Sequence, residues 1–301
     1  MTENAAGGER SAPIRGKAAG VPFVALPPDD AQAGGAPLVV VWHLASPPRS
    51  EGAMAAALPL RGLRAWRVYV GLPMLGNRLP AAGLDEFFRL FREDMVMCVF
   101  EPAVRQAVEE LPAALAELRD RLPVGDGPLG LVGGSMGAWV PQSVLADTDL
   151  PVSAVALVSP AIRLRSVVAR YQRLWDFEYP WSARSLAVAE RLDFVARADE
   201  IAARDAATLL VVGAEDDEEG FHRPAEELRQ ALSRRSPERT SLARIPGMGH
   251  PLAEEPGLEP APQTDHAAQV DAAVVEWFRR HLDGSEGPRH HLADRHSEAS
   301  D

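Results

Sequence analysis

The chain has 301 residues, a length that suits one large domain or one domain with an insertion. Its formal net charge of −12 and pI near 5.2 argue against nucleic acid or a membrane surface as a partner. Cys98 is the only cysteine, so no internal disulfide can form and a reducing, cytoplasmic compartment is expected. Lys17 is the only lysine, and this bias toward arginine indicates GC-rich coding and a bacterial source.

In chain order, apolar runs typical of strands alternate with runs of helical periodicity. Residues 1–20 are small, polar and charged, which predicts a disordered tail without a secretory signal. The folded domain is expected over residues 21–283, and a second polar tail over 284–301. Strands are predicted at 21–26 (an edge strand), 37–44, 64–72, 129–132, 152–159, 207–213 and 241–245, and helices at 84–100, from 102 onward, and at 136–146, 221–233 and 267–282.

The strongest motif is G-x-S-x-G, formed by Gly133, Ser135 and Gly137. A buried strand is predicted before it and a helix after it, so the serine lies on a sharp strand-to-helix turn, the nucleophile elbow. Glycines are needed there because a Cβ two residues before or after the serine would clash where strand and helix close on each other. The motif alone also occurs by chance, so its context decides its meaning.

Two later strands end in residues that complete a catalytic triad. The strand at 207–213 runs into an acidic turn, and the strand at 241–245 runs into a histidine, His250, bracketed by glycines. The order serine, acid, histidine, each just past the end of a strand, resembles the α/β-hydrolase family over about residues 37–282. The resemblance implies an α/β fold with a mostly parallel central sheet, flanking helices and a small helical lid.

The same resemblance assigns roles within the triad. The family's acid commonly falls three residues after the glycine that ends the strand, so Gly213 nominates Asp216 ahead of Asp217 and Glu215. Asp216 would orient His250, which would take the proton of Ser135 as it attacks an acyl carbonyl. This chemistry forms an acyl-enzyme and requires no metal or organic cofactor.

The oxyanion loop departs from the family pattern. The resemblance implies that the backbone N–H groups of Met136 and Ala45 hold the oxyanion. The family has a glycine where this chain has Leu44, and leucine resists positive φ, so the loop conformation is an open question. Leu44 is also expected to contact substrate. His43 is expected to hydrogen-bond the loop and to have no catalytic role.

A lid is predicted between the strands at 152–159 and 207–213, because roughly 45 residues are too many for a simple crossover. Its bounds are expected near residues 164–189. Four of its aromatic residues are predicted to bind substrate: Trp175, Phe177, Tyr179 and Trp181. Alternatively, the aromatics only attach the segment to the body, or arginines of the segment receive an anionic substrate group: Arg163, Arg165, Arg170, Arg173 and Arg184.

The sequence thus predicts a serine hydrolase acting on an ester or thioester of a small apolar or aromatic acyl group. The partner would be this small-molecule substrate, and the protein a monomer or homodimer. An acyltransferase remains open, because G-G-S-M-G at residues 133–137 resembles the elbow of homoserine acetyltransferase-like members. A peptidase and a non-catalytic binding protein are further alternatives, and fold alone cannot choose among them.

Overall fold

A computed structural model describes residues 12–29 and 35–282. Within these residues the strands are β1 Ile14–Ala18, β2 Val21–Leu26, β3 Ala36–Trp42, β4 Trp66–Val70, β5 Val124–Gly134, β6 Ala154–Val158, β7 Ala207–Gly213 and β8 Thr240–Ile245. The α-helices are α1 Glu51–Ala57, α2 Leu84–Asp94, α3 Glu101–Arg121, α4 Trp139–Asp147, α5 Leu164–Trp175, α6 Ala183–Arg191, α7 Ala198–Ala202, α8 Arg223–Ser233 and α9 Asp265–Leu282. A π-helical turn, Met95–Phe100, joins α2 to α3, and another, Glu218–His222, precedes α8.

The strands form one sheet in the order β1-β2-β4-β3-β5-β6-β7-β8. The pairings from β4 through β8 are all parallel, whereas β2 runs antiparallel to β4 and to β1. The predicted mostly parallel sheet flanked by helices is therefore confirmed. Since the parallel strands share one direction, the loops after β3, β5, β7 and β8 meet at a single edge of the sheet.

Both faces of the sheet are covered, and the apolar side chains of each strand divide between them. Val40, Leu131 and Leu157 belong to a core that also contains residues of α3, α4 and α8. Val41 and Val132 belong to a second core, on the other face, with residues of α1 and α9. This two-sided burial explains why the central strands are continuous apolar runs rather than alternating patterns.

The N-terminal part of the chain corrects two expectations. Residues 14–18, expected within a disordered tail, form β1 and pair with β2, so β2 is not the edge strand. Only Ala18 of β1 is buried, and a strand with one buried residue leaves no apolar pattern to detect. Residues 1–11 of the predicted N-terminal tail, and the whole predicted C-terminal tail at 284–301, lie outside the described residues.

The segment between β6 and β7 is helical, as predicted, and comprises α5, α6 and α7. It contacts the body near the first π-helical turn, where the hydroxyl of Tyr179 donates a hydrogen bond to Asp94. We call α5 to α7, residues 164–202, the helical insertion. No helix in the described part of the chain is both long and apolar enough to cross a membrane.

Candidate active site

Ser135 lies on a strained turn directly after β5. Its φ of +48° is in the left-handed region, which a residue with a side chain rarely adopts. The flanking glycines are required by close contacts: a Cβ on Gly133 would lie 2.5 Å from the Cα of Ala138, and one on Gly137 would lie 2.4 Å from the carbonyl oxygen of His43. The elbow predicted from the sequence is thus present, with the serine hydroxyl raised at the edge of the sheet.

The three predicted triad residues form one chain of hydrogen bonds. The Oγ of Ser135 lies 2.7 Å from the Nε2 of His250, and the Nδ1 of His250 lies 2.7 Å from the Oδ2 of Asp216. The side chain of Asp216 is 1% exposed and that of His250 is 12% exposed. With a proton on Nδ1 directed to the carboxylate, Nε2 is free to accept the proton of the serine hydroxyl.

Backbone hydrogen bonds fix the loops that carry the acid and the histidine. The N–H of Ala214 donates to the carbonyl of Ile245, and the N–H of Glu215 donates to the carbonyl of Met248, both at 2.9 Å. These bonds tie the turn after β7 to the turn after β8. As a result, backbone contacts help to set the register that places Asp216 against the imidazole.

The other two acidic residues of this turn point elsewhere. Asp217 accepts a hydrogen bond from the N–H of Gly220 and pairs with Arg173 at 2.9 Å. Burial opposes the ionisation of Asp217, but the N–H of Gly220 and the guanidinium of Arg173 outweigh it and keep the pKa of this carboxyl below its usual value. The side chain of Glu215 is exposed. The position three residues after Gly213 is therefore the one whose side chain reaches His250.

A second histidine supports the end of β7. His222 is buried, and its Nε2–H donates to the carbonyl of Gly213, while its Nδ1 lies 3.1 Å from a guanidinium nitrogen of Arg244. It holds the strand end from which the acid turn begins. Phe221, beside it in sequence, lies against the ring of His250 with centroids 4.1 Å apart. Neither role was predicted, because nothing in the sequence marks which side chain of this π-helical turn faces the imidazole.

The proposed oxyanion donors face the same space as the serine. Ala45 and Met136 both line the cavity that contains Ser135. Met136 is in the first turn of a helix, where backbone N–H groups have no partner within the helix. Arg49 shapes the other side: its Nε donates to the carbonyl of Ala45 at 2.9 Å, and its remaining nitrogens bind Glu255.

Leu44 does not contact the cavity, which corrects the expectation that it binds substrate. It is fully buried and packs so closely over the elbow that a Cβ on Gly134 would lie 2.2 Å from its Cδ1. Leu44 is also absent from the described residues with positive φ, so the glycine of the family is not needed here. His43 bridges neighbouring strand ends, with Nδ1 2.8 Å from the carbonyl of Leu44 and Nε2 accepting from the N–H of Leu72; burial lowers its pKa.

The cavity at Ser135 measures about 240 Å³. Its walls come from the oxyanion loop, the elbow, α5 and the two triad loops, and include Ser46, Arg49, Phe100, Trp139, Ala161, Val167, Arg170, Tyr171, Phe221 and Pro251. The lining is mostly apolar, with two arginines. The cavity is small compared with typical pockets for drug-sized ligands.

The four aromatics predicted to bind substrate lie elsewhere. Trp175 is 55% exposed and packs against Phe91 and Tyr171, and Tyr179 and Trp181 contact each other with centroids 4.7 Å apart. Neither these three nor Phe177 is among the residues that line the cavity. They attach the helical insertion to the body, and α5 instead presents Tyr171, one turn before Trp175, to the cavity. In the described residues, no group of three or more His, Cys, Asp or Glu side chains is placed to hold a metal ion.

Searches of protein-family models and of curated proteins found no match to this sequence. Solved structures do match. The esterase domain of a Rhodothermus marinus protein is 18% identical with a TM-score of 0.54, and the match covers 90% of this chain and 99% of that one. A puromycin-hydrolyzing peptidase of Mycobacterium tuberculosis (19% identical, TM-score 0.61) and the acylaminoacyl peptidase of Pyrococcus horikoshii (17%, 0.58) match over 90% and 92% of this chain.

The chain spans about two fifths of the length of those two peptidases, 40% and 42%, and nearly all of the esterase domain. At this level of identity the likeness establishes architecture and leaves activity to be argued from the site. The chain therefore has the α/β-hydrolase fold.

Proposed function

We propose that the protein is a serine hydrolase that cleaves an ester or thioester of a small acyl substrate through an acyl-enzyme. The observation that carries this proposal is the unbroken hydrogen-bond chain from Ser135 through His250 to Asp216, at the wall of a cavity. A buried carboxylate, a histidine and a serine on a strained elbow together have few purely structural explanations.

The proposed reaction has two halves. The Oγ of Ser135 attacks the acyl carbon while its proton passes to the Nε2 of His250, and Asp216 stabilises the resulting imidazolium. The tetrahedral oxyanion is held by the N–H groups of Met136 and Ala45; one such donor lowers the barrier by about 3 kcal/mol. The imidazolium protonates the leaving alcohol or thiol, and a water activated by the same histidine then releases the acid and restores the serine.

The helical insertion is proposed to act as a lid over this site. α5 contributes Val167, Arg170 and Tyr171 to the cavity wall, so its displacement would open the cavity beside the serine. Side chains attach the insertion to the body, through the hydrogen bond from Tyr179 to Asp94, the ion pairs of Arg173 with Asp217 and of Arg197 with Asp147, and apolar residues that pack in the core. Such a segment can move without disturbing the sheet.

A fluorophosphonate probe tests the nucleophile. Wild-type protein should be labelled covalently, and Ser135→Ala should lose the label while retaining its circular dichroism and melting temperature. Ser46→Ala is the matched control, because Ser46 also lines the cavity but has no histidine partner among the described residues. Labelling that persists at the wild-type rate in Ser135→Ala would refute the assignment.

A peptidase is the second candidate, because two of the similar structures are peptidases. Initial rates on p-nitrophenyl esters, acyl thioesters and peptide anilides separate the two. Turnover of a peptide anilide that is lost in Ser135→Ala would favour the peptidase, and turnover of esters and thioesters alone would favour the esterase. An acyltransferase is distinguished on the same samples. Added alcohol would then increase the acyl ester formed without increasing hydrolysis.

A further inference from the structure

Seven arginines lie in or just before the helical insertion, and Arg170 is the one that lines the cavity. Arg170 lies on α5, is half-buried, and lines the same wall as Ser135 and His250. Arg163 is paired with Asp193 and Glu227, and Arg173 with Asp217 and Glu219. Arg191 is paired with Glu101, and Arg197 with Asp147 and Glu200. Arg165 is exposed with its guanidinium 5.0 Å from the ring of Trp181, and Arg184 is exposed as well.

Arg170 has no carboxylate partner. Within residues 12–29 and 35–282 its guanidinium makes neither an ion pair nor a hydrogen bond, so its five N–H donors are unused. Asp217, whose carboxylate form Arg170 helps to favour, is already bound by Arg173 and the N–H of Gly220. The nitrogens of Arg170 are not among the solvent-excluded side-chain atoms without a partner in the described residues, so they are accessible from the cavity. A bound anion can therefore accept their hydrogen bonds in place of water.

Apolar contacts hold the side chain without occupying those donors. The guanidinium carbon lies 5.6 Å from the ring centroid of Phe221 and 5.9 Å from that of Tyr171. The methylene chain packs over Gly220, where an added Cβ would lie 3.2 Å from its Cδ. Phe221 also contacts His250. Arg170 is therefore presented to the cavity close to the reacting groups and is restricted in its rotamers.

The other cavity arginine is not available for this purpose. Arg49 binds both carboxylate oxygens of Glu255 and the carbonyls of Ala45 and Pro256. The net charge of −12 makes the rest of the protein unfavourable for an anion, so a single local cation decides whether one can bind. One guanidinium matches the planar, singly charged carboxylate, whereas a phosphate dianion would need further positive charge.

We propose that the substrate carries a carboxylate near the scissile acyl bond, and that Arg170 binds it. This inference rests on the proposed hydrolase activity and specifies its substrate class. The carboxylate can belong to the acyl group or to the leaving group, because Arg170 lies on the wall of a cavity that must hold both.

Two matched pairs of esters test the proposal. p-Nitrophenyl valerate and mono-p-nitrophenyl glutarate differ only in a methyl group replaced by a carboxylate on the acyl side. p-Tolyl valerate and 4-(valeryloxy)benzoate place the same change on the leaving group. For each pair, the ratio of kcat/KM for the anionic to the neutral ester is measured in the wild type and in Arg170→Met, Arg170→Lys and Arg165→Met.

In the wild type the ratio should exceed 1 for at least one pair. Arg170→Met should lower that ratio by about 10- to 100-fold, the loss expected for hydrogen bonds to a charged group. Arg170→Lys keeps the charge and should retain part of the ratio. Arg165→Met removes a charge from the same helix outside the cavity and should leave the ratio at the wild-type value.

The proposal is overturned if the wild type prefers the neutral ester in both pairs, or if Arg170→Met and Arg170→Lys both keep the wild-type ratio. An equal loss in Arg165→Met would assign the effect to the charge of the helix and would overturn it as well. Fluorophosphonate labelling of Ser135 is measured in every variant. It reports a folded, reactive site and does not depend on whether the ester carries a carboxylate. Lost labelling in the wild type would instead refute the proposed function.

Discussion

The strand ends that carry the triad and the helical insertion beside them are held by different kinds of contact. The triad loops are joined by backbone hydrogen bonds, such as that from Ala214 to Ile245. The insertion is attached by side chains, including the Arg173–Asp217 ion pair and the ring of Tyr179. Backbone bonds are insensitive to most substitutions, whereas side-chain contacts change with each one. Under the proposed function, the chemistry lies on the part joined by backbone hydrogen bonds, and the substrate specificity lies on the part attached by side chains.

The two adjacent aspartates of the acid turn differ in the same way, although they lie in one loop. Asp216 is part of the triad, and Asp217 is part of the attachment to α5. Asp216→Asn should lower kcat by about 10⁴-fold, because an amide favours the wrong tautomer of His250 while preserving the geometry. Ester hydrolysis by purified variants measures the effect.

Asp217→Asn is the matched control, since the asparagine oxygen can still accept from the N–H of Gly220. Its kcat should remain within about tenfold of the wild type, because it loses only a partly exposed ion pair. If Asp217→Asn is the inactive variant and Asp216→Asn is not, the acid has been assigned one residue too early.

Acyl-group selectivity should follow Tyr171 and not Trp175. Tyr171 lines the cavity, whereas Trp175 packs on its outer side and is 55% exposed. Tyr171→Ala should reduce kcat/KM for bulky acyl esters relative to acetyl esters by about tenfold, the amount expected from a lost apolar contact in a pocket. The measurement is a series of p-nitrophenyl esters of increasing acyl size.

Trp175→Ala provides the comparison for Tyr171→Ala on the same helix. It should change the order of preference by less than about threefold, because it removes packing outside the pocket. An equal shift in both variants would mean that the outer aromatic cluster determines the shape of the cavity. An unchanged series in Tyr171→Ala would remove α5 from acyl recognition altogether.

The same contrast explains what could be predicted from the sequence. Ser135, Asp216 and His250 follow parallel strands, and the shared direction of such strands brings these positions to one edge of the sheet. Tyr171 and Arg170 could not be separated from Trp175 and Arg173, because the face that a helix turns to a cavity depends on its rotation about its own axis. The role of Leu44 was misjudged because the conformation of its loop depends on contacts with Gly134, made only in the folded chain.

The smallest expected effect is on the free energy of unfolding contributed by the Arg173–Asp217 ion pair, which attaches α5 to the acid turn. Arg173 and Asp217 are 44% and 29% exposed, so a double-mutant cycle with Arg173→Met and Asp217→Asn should give a coupling free energy of about 0.5 kcal/mol in urea unfolding at pH 7. The lowered pKa of Asp217 sets the sign of the pH dependence. The folded state favours the carboxylate, so this stability is present above the ordinary pKa of about 3.9 and is lost as pH falls through the lowered folded value.

The double-mutant cycle is therefore measured at pH 7 and again at pH values below about 4 at which the protein is still folded. Glu219→Gln serves as the control. Glu219 also lies 3.2 Å from Arg173, but its side chain is 59% exposed and it caps no backbone group among the described residues. The coupling free energy between Glu219 and Arg173 should therefore be smaller. A coupling above about 2 kcal/mol, or one that does not decline with acid, would show that the ion pair is part of the rigid body rather than an adjustable contact. In that case α5 would be held as rigidly as the triad loops, and the difference in attachment between the two regions would not apply to it.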